Sequence, residues 1–275
     1  MPRLAGKTVL VTGATDGLGK GLATALAREG ATVLVHGRDD ARGAETLADI
    51  GRETGSDRLR WYRADLASLR ETRELAERVA ADHDRLDALV NNAGIGFTLP
   101  GDGKRLESRD GHELRFAVNY LAPYLLTRSL RPLLLASSPA RIVNVASIGQ
   151  APVRFDDVML EQGYDGVHAY CQSKLALVML TFDLAEELDG SGVTANCLHP
   201  GTYMPTKMVT HAGISPVDSL ESGVEATMRL VADPELDGVT GRFFDRTAES
   251  RAKPQAYDPE ARGRLRELSK QLTGL

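Results

Sequence analysis

Short apolar runs alternate with longer amphipathic stretches along almost the whole sequence. The short runs cover residues 8–11, 32–35, 58–63, 87–90, 141–145, 193–198 and 241–244. The longer stretches cover residues 18–29, 41–50, 68–81, 113–135, 168–188 and 217–231. Nearly continuous apolar runs are typical of strands buried on both faces, and strands that alternate with helices are typical of parallel sheets. The sequence therefore predicts an α/β fold, a doubly wound parallel sheet of about seven strands with helices on both faces.

Composition and charge limit the function classes that are open to this 275-residue chain. An apolar fraction of 42% and a charged fraction of 26% are typical of a globular protein. The chain has no repeat or linker, which predicts a single domain over residues 1–275. The net charge of −5 argues against a nucleic-acid partner. No apolar run approaches the roughly 18 residues of a membrane span.

The start of the chain and its cysteines lead to two further expectations. Residues 1–6 run directly into the first strand without the apolar stretch of a signal peptide, so we expect a cytoplasmic protein. Cys171 and Cys197 lack the spacing of metal ligands. We therefore expect no metal site and interpret both cysteines as small core residues.

A glycine-rich turn follows the first strand and opens the first helix. Its residues are Thr12, Gly13, Ala14, Thr15, Asp16, Gly17, Leu18 and Gly19. Glycines let such a turn approach a pyrophosphate closely, and the helix N-terminus offers free N–H groups to the phosphates. A P-loop is excluded, because Ala14 and Gly21 stand where it needs glycine and a hydroxyl residue. The strict dinucleotide pattern is excluded as well, because Leu22 replaces its last glycine.

The end of the second strand bears on the choice of cofactor. A free ribose 2′-hydroxyl is usually held by a carboxylate about 20 residues after the glycine turn. Here Gly37 takes that position and Arg38 follows it. A guanidinium matches a 2′-phosphate with a charge-assisted fork, which favours NADP(H). Asp39 and Asp40 lie close by and keep NAD(H) open as the alternative.

Tyr170 and Lys174 lie four residues apart in a predicted helix and therefore share one face. An ammonium one turn away favours the phenolate, so we expect the pKa of Tyr170 below its free value of about 10 and Tyr170 as a general acid or base. This spacing is common by chance, but three companions give it weight. Ser147 follows an apolar strand, where its hydroxyl can polarise a carbonyl. Residues 91–94 end the preceding strand in the same way, and Asn119 lies in the long helix between them.

Taken together, these residues resemble the short-chain dehydrogenase/reductase family along nearly the whole chain. The resemblance rests on Thr12-Gly13-x-x-x-Gly17-x-Gly19, Asp65-Leu66, Asn91-Asn92-Ala93-Gly94, Asn119, Ser147, Tyr170-x-x-x-Lys174 and Pro200-Gly201. It implies a Rossmann fold. The cofactor contacts that we expect are Thr12, Gly13, Thr15, Asp16, Gly17, Leu18, Gly19, Arg38, Asp65, Leu66, Asn91, Ala93, Gly94, Tyr170, Lys174, Pro200, Gly201, Thr202 and Thr206. Among them, the resemblance implies that Asp65 contacts the adenine and Asn91 the adenosine side of the cofactor.

The resemblance also implies a role for each catalytic residue. Ser147 would hold the substrate oxygen, Tyr170 would transfer its proton, and Lys174 would bind the nicotinamide ribose and lower the pKa of the tyrosine. Asn119 would anchor a water in a proton relay to Lys174. Pro123, four residues after Asn119, has no N–H. It therefore leaves the carbonyl of Asn119 for water, and we expect a kink in the helix there.

The chain departs from the family's pattern at two places. Positions 147 and 170 lie 23 residues apart, roughly twice the family's commonest spacing, so an insertion lies between them. With Tyr170-x-x-Ser173-Lys174-Leu175-Ala176 and Leu198-His199-Pro200-Gly201, this resembles the retinol-dehydrogenase-like branch. The family often has a threonine five residues after the proline of Pro-Gly. Pro205 stands there, and Thr202 and Thr206 remain alternatives for a contact with the nicotinamide carboxamide.

The resemblance implies an NADP(H)-dependent carbonyl reductase or alcohol dehydrogenase. A catalytically silent nucleotide-binding regulator is the alternative from another class. The set of Ser147, Tyr170 and Lys174 argues against it, because a sensor needs only the nucleotide site. A sugar-nucleotide epimerase or dehydratase is a further alternative, but the chain beyond Pro200 leaves little room for a substrate domain. An NAD-dependent alcohol dehydrogenase of the same fold also stays open.

Two loops, at about 148–167 and 199–216, should form the substrate pocket. Their apolar side chains are Pro152, Val153, Phe155, Val158, Met159, Leu160, Tyr164, Tyr203, Met204, Pro205, Met208 and Val209. Such side chains suit a hydrophobic ketone, aldehyde or secondary alcohol. The alternative is that they anchor the loops to the core. In 148–167 the charged residues alternate with apolar ones, which predicts a short helix with one exposed face.

Two predictions concern the outer surface. The long helices at 113–135 and 168–188 carry more apolar surface than one sheet face needs. In the family these helices often form a homodimer interface, so we expect a homodimer or homotetramer. The charged segment 247–275 is expected to end in a short surface helix.

Overall fold

The computed structural model describes residues 3–98, 101 and 104–275. Its strands are β1 (Thr8–Val11), β2 (Thr32–Gly37), β3 (Leu59–Arg63), β4 (Ala88–Asn91), β5 (Ala140–Val145), β6 (Val193–His199), β7 (Phe243–Asp245) and β8 (Ala248–Ser250). They form one eight-stranded sheet in the order β3-β2-β1-β4-β5-β6-β7-β8. β1 to β7 are parallel, and β8 pairs with β7 antiparallel. The predicted doubly wound sheet is confirmed, with β8 added.

Most helices lie between successive strands, as the alternation predicted, and the last one follows β8. They are α1 (Gly17–Arg28), α2 (Asp40–Thr54), α3 (Leu69–Asp82), α4 (Leu114–Phe116), α5 (Ala122–Ala136), α6 (Gly166–Glu187), α7 (Lys207–Thr210), α8 (Leu220–Ala232) and α9 (Pro259–Thr273). A π-helical turn covers Ala117–Leu121, and 3₁₀ turns cover Pro234–Leu236 and Pro254–Tyr257. In the described part of the chain, no helix combines the length and the apolar character that crossing a bilayer requires.

Side chains along β1 alternate between the two faces of the sheet, as they must in any strand. Val9 and Val11 pack into a core that includes residues of α1 and α8. Leu10, between them, packs into the other core, which includes residues of α3, α5 and α6. The sheet is therefore covered on both faces, as nearly continuous apolar strands require.

The order of the strands reverses at β1, which pairs with β2 on one side and β4 on the other. In open parallel sheets, ligands bind at such a switch point, beyond the carboxyl ends of the strands. The glycine-rich turn follows β1, residues 91–94 close β4, and Ser147 comes two residues after β5. The topology thus brings the predicted site residues to one edge of the sheet.

The segment 148–167 is irregular up to the start of α6, so the predicted short helix is wrong. Two glutamine side chains take the backbone groups that a helix would pair. Gln255 Oε1 accepts from Val153 N at 2.7 Å, and Gln172 Oε1 accepts from Arg154 N at 2.9 Å. Gln172 Nε2 also donates to Val158 O at 2.9 Å.

Five of the twelve apolar side chains of the two predicted substrate loops anchor those loops to the core. Val153, Val158, Leu160, Met204 and Val209 are all buried. For these five residues, the alternative that apolar side chains fix the loops to the core is therefore confirmed. The side chain of Met208 lies outside the described part of the chain.

α9 is longer and more deeply packed than the short surface helix that was predicted. It has 15 residues, and its Ala261, Leu265 and Ser269 are buried. Ser269 Oγ lies 2.6 Å from the hydroxyl of Tyr120, and Arg266 pairs with Asp183 of α6 at 3.0 Å. The many charged residues of this segment indicated a surface helix, so the buried face of α9 was not predicted.

Candidate active site

Thr12 and Asn92 tie the glycine-rich turn to the end of β4. Thr12 Oγ1 accepts hydrogen bonds from the backbone N–H groups of Asn92 at 2.9 Å and Ala93 at 3.0 Å. Asn92 Nδ2 donates back to the carbonyl oxygens of Thr12 at 2.8 Å and Gly13 at 3.2 Å. The Thr12 side chain, predicted as a cofactor contact, therefore shapes the turn.

The glycines of the turn are required by close packing. A Cβ on Gly13 would lie 2.8 Å from Ala93 Cα, and one on Gly17 would lie 3.0 Å from Thr206 Cγ2. A Cβ on Gly19 would overlap the carbonyl oxygen of Gly13. Gly13 and Gly17 also have positive φ angles of 64° and 48°. The result is a tight backbone cradle at the N-terminus of α1, which suits the phosphates of a dinucleotide.

His36 of β2 holds the other side of the turn. Its Nδ1 accepts from the backbone N–H of Gly13 at 3.1 Å, and its Nε2 lies 3.2 Å from the carbonyl oxygen of Ala64. These contacts fit the neutral ring with its proton on Nε2. Burial lowers the pKa of His36 to about 4, so the ring is neutral near pH 7.

Asp16, predicted as a cofactor contact, caps α1 and gathers two cations. Its carboxylate accepts from Gly17 N at 2.9 Å and pairs with Arg42 at 3.1 Å and Lys207 at 2.8 Å. Partial burial works to raise the pKa of Asp16, but Lys207, the Gly17 N–H and Arg42 together hold it below the usual value. Asp16 therefore holds the positively charged side chains of Arg42 and Lys207 beside the glycine-rich turn.

The end of β2 leaves no space for a carboxylate at position 37. A Cβ on Gly37 would lie 2.8 Å from Thr15 Cγ2 and 2.8 Å from Trp61 Cη2. Arg38, next to it, is exposed. Within the described residues, Arg38 makes no hydrogen bond or ion pair. Its guanidinium is thus available for an anion.

The two aspartates that kept NAD(H) open both have partners within the protein. Asp39 caps α2 and accepts from Arg42 N at 2.9 Å. Asp40 accepts from Trp61 Nε1 at 2.7 Å. Holding a ribose 2′-hydroxyl would compete with these contacts.

The predicted catalytic residues meet at the carboxyl edge of β4 and β5. A Cβ built on Gly149 would lie 3.4 Å from Ser147 Oγ and 3.7 Å from Tyr170 Cε1, so both side chains border the same space. A Cβ built on Gly94 would lie 3.3 Å from Asn119 Oδ1 and 3.4 Å from Lys174 Nζ. Lys174 Nζ lies 5.9 Å from the centre of the Tyr170 ring.

Lys174 is buried and donates to the carbonyl oxygen of Val145 at 2.8 Å. No carboxylate of the described chain lies within ion-pair distance of it. Burial lowers the pKa of Lys174 to about 8. The lysine therefore sits at the end of β5 with a pKa close to neutrality, which suits a group that helps to move protons.

The expectation of a low pKa for Tyr170 is not met. Burial raises the pKa of Tyr170, and the hydroxyl of Ser147 opposes that rise only in part. We expected the ammonium of Lys174 to lower this pKa, but the loss of water around the buried ring has the larger effect and is not visible in the sequence. With a raised pKa, Tyr170 is protonated near pH 7 and can act as a proton donor.

A π-helical turn surrounds Asn119, at the place where the sequence predicted a kink before Pro123. Single π-helical turns are frequent at functional sites. Asn119 Oδ1 accepts from Ile95 N at 2.8 Å, and its Nδ2 donates to Ser173 Oγ at 3.0 Å. Ser173 Oγ in turn donates to the carbonyl oxygen of Tyr170 at 2.7 Å. Asn119 thus joins the loop after β4 to the catalytic turn of α6.

Three predicted cofactor contacts turn their side chains into the protein. Asn91 Nδ2 donates to Asn144 Oδ1 at 2.8 Å and to Thr127 Oγ1 at 3.1 Å, which places the side chain in the core. Leu18 and Leu66 are buried as well. Any contact of these residues with a cofactor has to come from their backbone. Asp65 is half-buried and accepts from Ala67 N at 3.1 Å, at the edge where the adenine would lie.

The loop after Pro200 and Gly201 separates the two candidate threonines. Thr202 Oγ1 lies 3.0 Å from His199 Nε2, and Thr202 N donates to Asp218 Oδ2 at 2.6 Å. Its polar groups are therefore engaged within the protein. Thr206 instead lies against Gly17 of the glycine-rich turn. The geometry favours Thr206 as the threonine on the cofactor side.

Several residues that shape this site were not among the site residues predicted from the sequence. His36, Phe97, Arg115 and Ser173 are the main ones. The ring of Phe97 packs edge-on against Tyr170 with 6.1 Å between centroids. Ser173 could have been found, since it lies three residues after Tyr170 on the same helix face. His36 and Arg115 bind backbone atoms far away in sequence, and no local pattern indicates such contacts.

The chain is similar to known proteins over nearly its whole length. Residues 7–214 match the family model described as short chain dehydrogenase. The chain is 39% identical to retinol dehydrogenase 13 of Mus musculus, covering 98% of this chain and 84% of that protein. It is 37% identical to retinol dehydrogenase 14 of Homo sapiens, covering 98% of this chain and 87% of that protein.

Solved structures give the same result. A short chain dehydrogenase of Escherichia coli CFT073 complexed with NADPH superposes with a TM-score of 0.73 at 30% identity, over 89% of this chain and 98% of that one. The Pseudomonas aeruginosa RhlG/NADP active-site complex superposes with a TM-score of 0.73 at 28% identity, over 89% and 97%. With its glycine cradle and its Ser147, Tyr170 and Lys174, the chain belongs to the short-chain dehydrogenase family, uses a nicotinamide cofactor, and resembles the retinol dehydrogenases of that family.

Proposed function

We propose that this protein is an NADP(H)-dependent oxidoreductase that transfers hydride between nicotinamide and a hydrophobic ketone, aldehyde or secondary alcohol. The observation that carries the proposal is the convergence of Ser147, Tyr170, Lys174 and Asn119 at one edge of the sheet, beside a glycine cradle. The cofactor, when bound, supplies or accepts the hydride. Ser147 holds the substrate oxygen, and Tyr170 gives a proton to it or takes one from it.

The choice of NADP(H) rests on the end of β2. Position 37 has no space for a carboxylate, while Arg38 is exposed and without an ionic partner among the described residues. Arg42 and Lys207 add positive charge close to the same turn. Two structural relatives were solved with NADPH or NADP bound. A 2′-phosphate suits this surface better than a free hydroxyl does.

A hydrophobic substrate is supported by the rim of the site. Ile148, Val167, Tyr203 and Val217 are exposed, with exposed fractions of 54%, 52%, 43% and 68%. Ile148 directly follows Ser147, and Val167 lies in the first turn of α6, ahead of Tyr170. Val217 N donates to the carbonyl oxygen of Tyr203, which joins the other two side chains in the segment after β6. Phe97 adds an aromatic ring against Tyr170. Exposed apolar side chains grouped around a site are typical of a surface that binds apolar ligands.

The proposal is tested with a chain-length series of aliphatic aldehydes and ketones, together with retinal, each with NADPH and with NADH. We expect kcat/KM to rise with apolar size and to be higher with NADPH. Burial contributes about 25 cal/mol per Å² of apolar surface, which gives roughly fourfold per added methylene. Equal values across the series would contradict the hydrophobic pocket, and a preference for NADH would contradict the cofactor choice.

The alternatives predict other results in the same assay. A nucleotide-binding regulator would bind NADPH but turn over none of these compounds. The proposed catalytic side chains lie together at one edge of the sheet, which argues against a protein that binds the nucleotide without catalysis. An NAD-dependent alcohol dehydrogenase would show the opposite cofactor preference.

A further inference from the structure

A charged cluster that the reaction itself does not use lies buried beside the active site. Arg115 of α4 is 0% exposed and Glu113, which caps α4, is 1% exposed. Tyr164, at the end of the segment 148–167, donates its hydroxyl hydrogen to Glu113 Oε1 at 2.9 Å and accepts from Arg115 Nη1 at 2.7 Å. The tyrosine hydroxyl therefore links the two buried charges.

The rest of the Arg115 fork holds the loop after β4. Its Nε donates to the carbonyl oxygen of Gly96 at 2.7 Å, and its Nη2 donates to that of Phe97 at 2.9 Å. Phe97 packs against the Tyr170 ring, and the neighbouring Ile95 makes both backbone hydrogen bonds to Asn119. One guanidinium thus fixes a loop that contacts two of the catalytic residues.

The other end of the cluster holds the insertion. Glu113 Oε2 accepts from Phe116 N at 2.7 Å, and Glu113 N lies 3.3 Å from Met159 Sδ. Arg105 Nε donates to the carbonyl oxygen of Met159 at 3.0 Å. The insertion between Ser147 and α6 is therefore fastened to α4 at Met159 and at Tyr164.

We propose that Glu113, Arg115 and Tyr164 are positioning residues that hold the loop after β4 (residues 94–98) and the insertion together beside Tyr170. This inference rests on the proposed function, because it gives these residues a role in positioning the carbonyl group of the substrate. Burying a charged pair is costly unless all its hydrogen bonds are made, so the cluster has essentially one low-energy arrangement. The Tyr164 hydroxyl completes that arrangement, so the hydrogen bonds of the cluster depend on the position of the insertion. The cluster therefore affects substrate placement and leaves the glycine cradle unchanged.

Tyr164→Phe removes the linking hydroxyl and leaves the ring in place. We expect kcat/KM for a carbonyl substrate to fall by about tenfold or more, since small misplacements of reacting groups cost up to about 100-fold. The Kd for NADPH should stay within about twofold of wild type. The matched control is Tyr62→Phe on β3, which also loses a tyrosine hydroxyl bound to a carboxylate, that of Asp82. Arg115→Lys keeps the charge without the fork and should reproduce the loss.

A second measurement does not depend on turnover. Amide hydrogen exchange in Tyr164→Phe should become faster both in residues 94–98 and in residues 156–164, and should stay as in wild type around the glycine-rich turn. If Tyr164→Phe matches Tyr62→Phe in kinetics and in exchange, the proposal is wrong. If wild type reduces no carbonyl, the proposed function fails, and the exchange result alone then decides whether the cluster couples the two segments.

Discussion

At the scale of single residues, Tyr170 is the side chain on which the proposed chemistry depends most. Burial raises its pKa, so it stays protonated and can donate to a substrate oxygen held by Ser147. Tyr170→Phe should keep the NADPH affinity and lower kcat by at least about 100-fold, because general acid–base steps contribute 10²–10⁴-fold. Nicotinamide absorbance measures the rate. The control is Tyr257→Phe, at an exposed position away from the site. A Phe variant that keeps most of the activity would remove Tyr170 from the mechanism.

Arg38 carries the prediction on cofactor choice. Arg38→Leu should weaken NADPH binding by about 1.5–3 kcal/mol, as expected for a lost hydrogen bond to a charged group, and leave NADH nearly unchanged. Fluorescence titration with both cofactors measures the difference. Arg60→Leu, an exposed arginine on β3, serves as the matched control. An equal loss for the two cofactors would mean that Arg38 does not contact the 2′-phosphate.

The sequence predicted the residues whose order and spacing are characteristic, and it failed where the partner is a distant backbone atom. Ser147, Tyr170, Lys174 and Asn119 lie together as expected. The side chain of Asn91 instead turns towards Asn144. Which way a side chain points depends on packing between strands, and a one-dimensional pattern does not contain that information.

At the scale of elements, each of the seven predicted strands appears, because buried parallel strands have a strong apolar signature. β8 was missed because Ala248, Glu249 and Ser250 form a three-residue edge strand without that signature. The segment 148–167 was misjudged for another reason. Its alternation of charged and apolar residues suits a helix, but glutamine side chains from elsewhere take its backbone hydrogen bonds.

The junction between β2 and the glycine-rich turn should be sensitive to acid. The pKa of His36 is lowered by burial to about 4, against 6.5 for a free histidine, so between these values the unfolded chain takes up a proton that the folded protein refuses. The stabilisation is complete above about pH 6.5 and is lost as the pH falls to about 4. The total loss is about 3 kcal/mol.

His36→Gln tests this prediction, because glutamine has no side-chain group that takes up a proton in this pH range. Urea unfolding from pH 4 to 7 should show a flatter dependence of the unfolding free energy for this variant than for wild type. His211→Gln, at an exposed position, is the control for the loss of a histidine. If wild type and His36→Gln lose stability in parallel, His36 is not the group that titrates.

At the scale of the whole molecule, the structure changes the argument for assembly. The expected homodimer or homotetramer relied on surplus apolar surface along the helices that became α5 and α6. All residues of α6 from 172 to 185 are buried within the single chain. α9 covers part of this surface, with Leu265 in the core and Arg262 paired to Asp183 at 3.2 Å. A dimer through this part of α6 would compete with α9 for the same surface.

We therefore expect the full chain to be a monomer in light scattering at micromolar concentration, whereas the sequence alone predicted a homodimer or homotetramer. A chain that ends after Tyr257 lacks α9 and should self-associate, because removing Leu265 and its neighbours exposes the apolar side of α6. Leu275→Ser, at an exposed position beyond α9, is the control that should stay monomeric.

A dimer of the full chain would contradict this expectation. It would mean either that the dimer forms through a surface other than α6 or that α9 is displaced from α6. Protection of α9 amides from hydrogen exchange would distinguish the two, since a displaced helix loses its protection and a helix left in place keeps it.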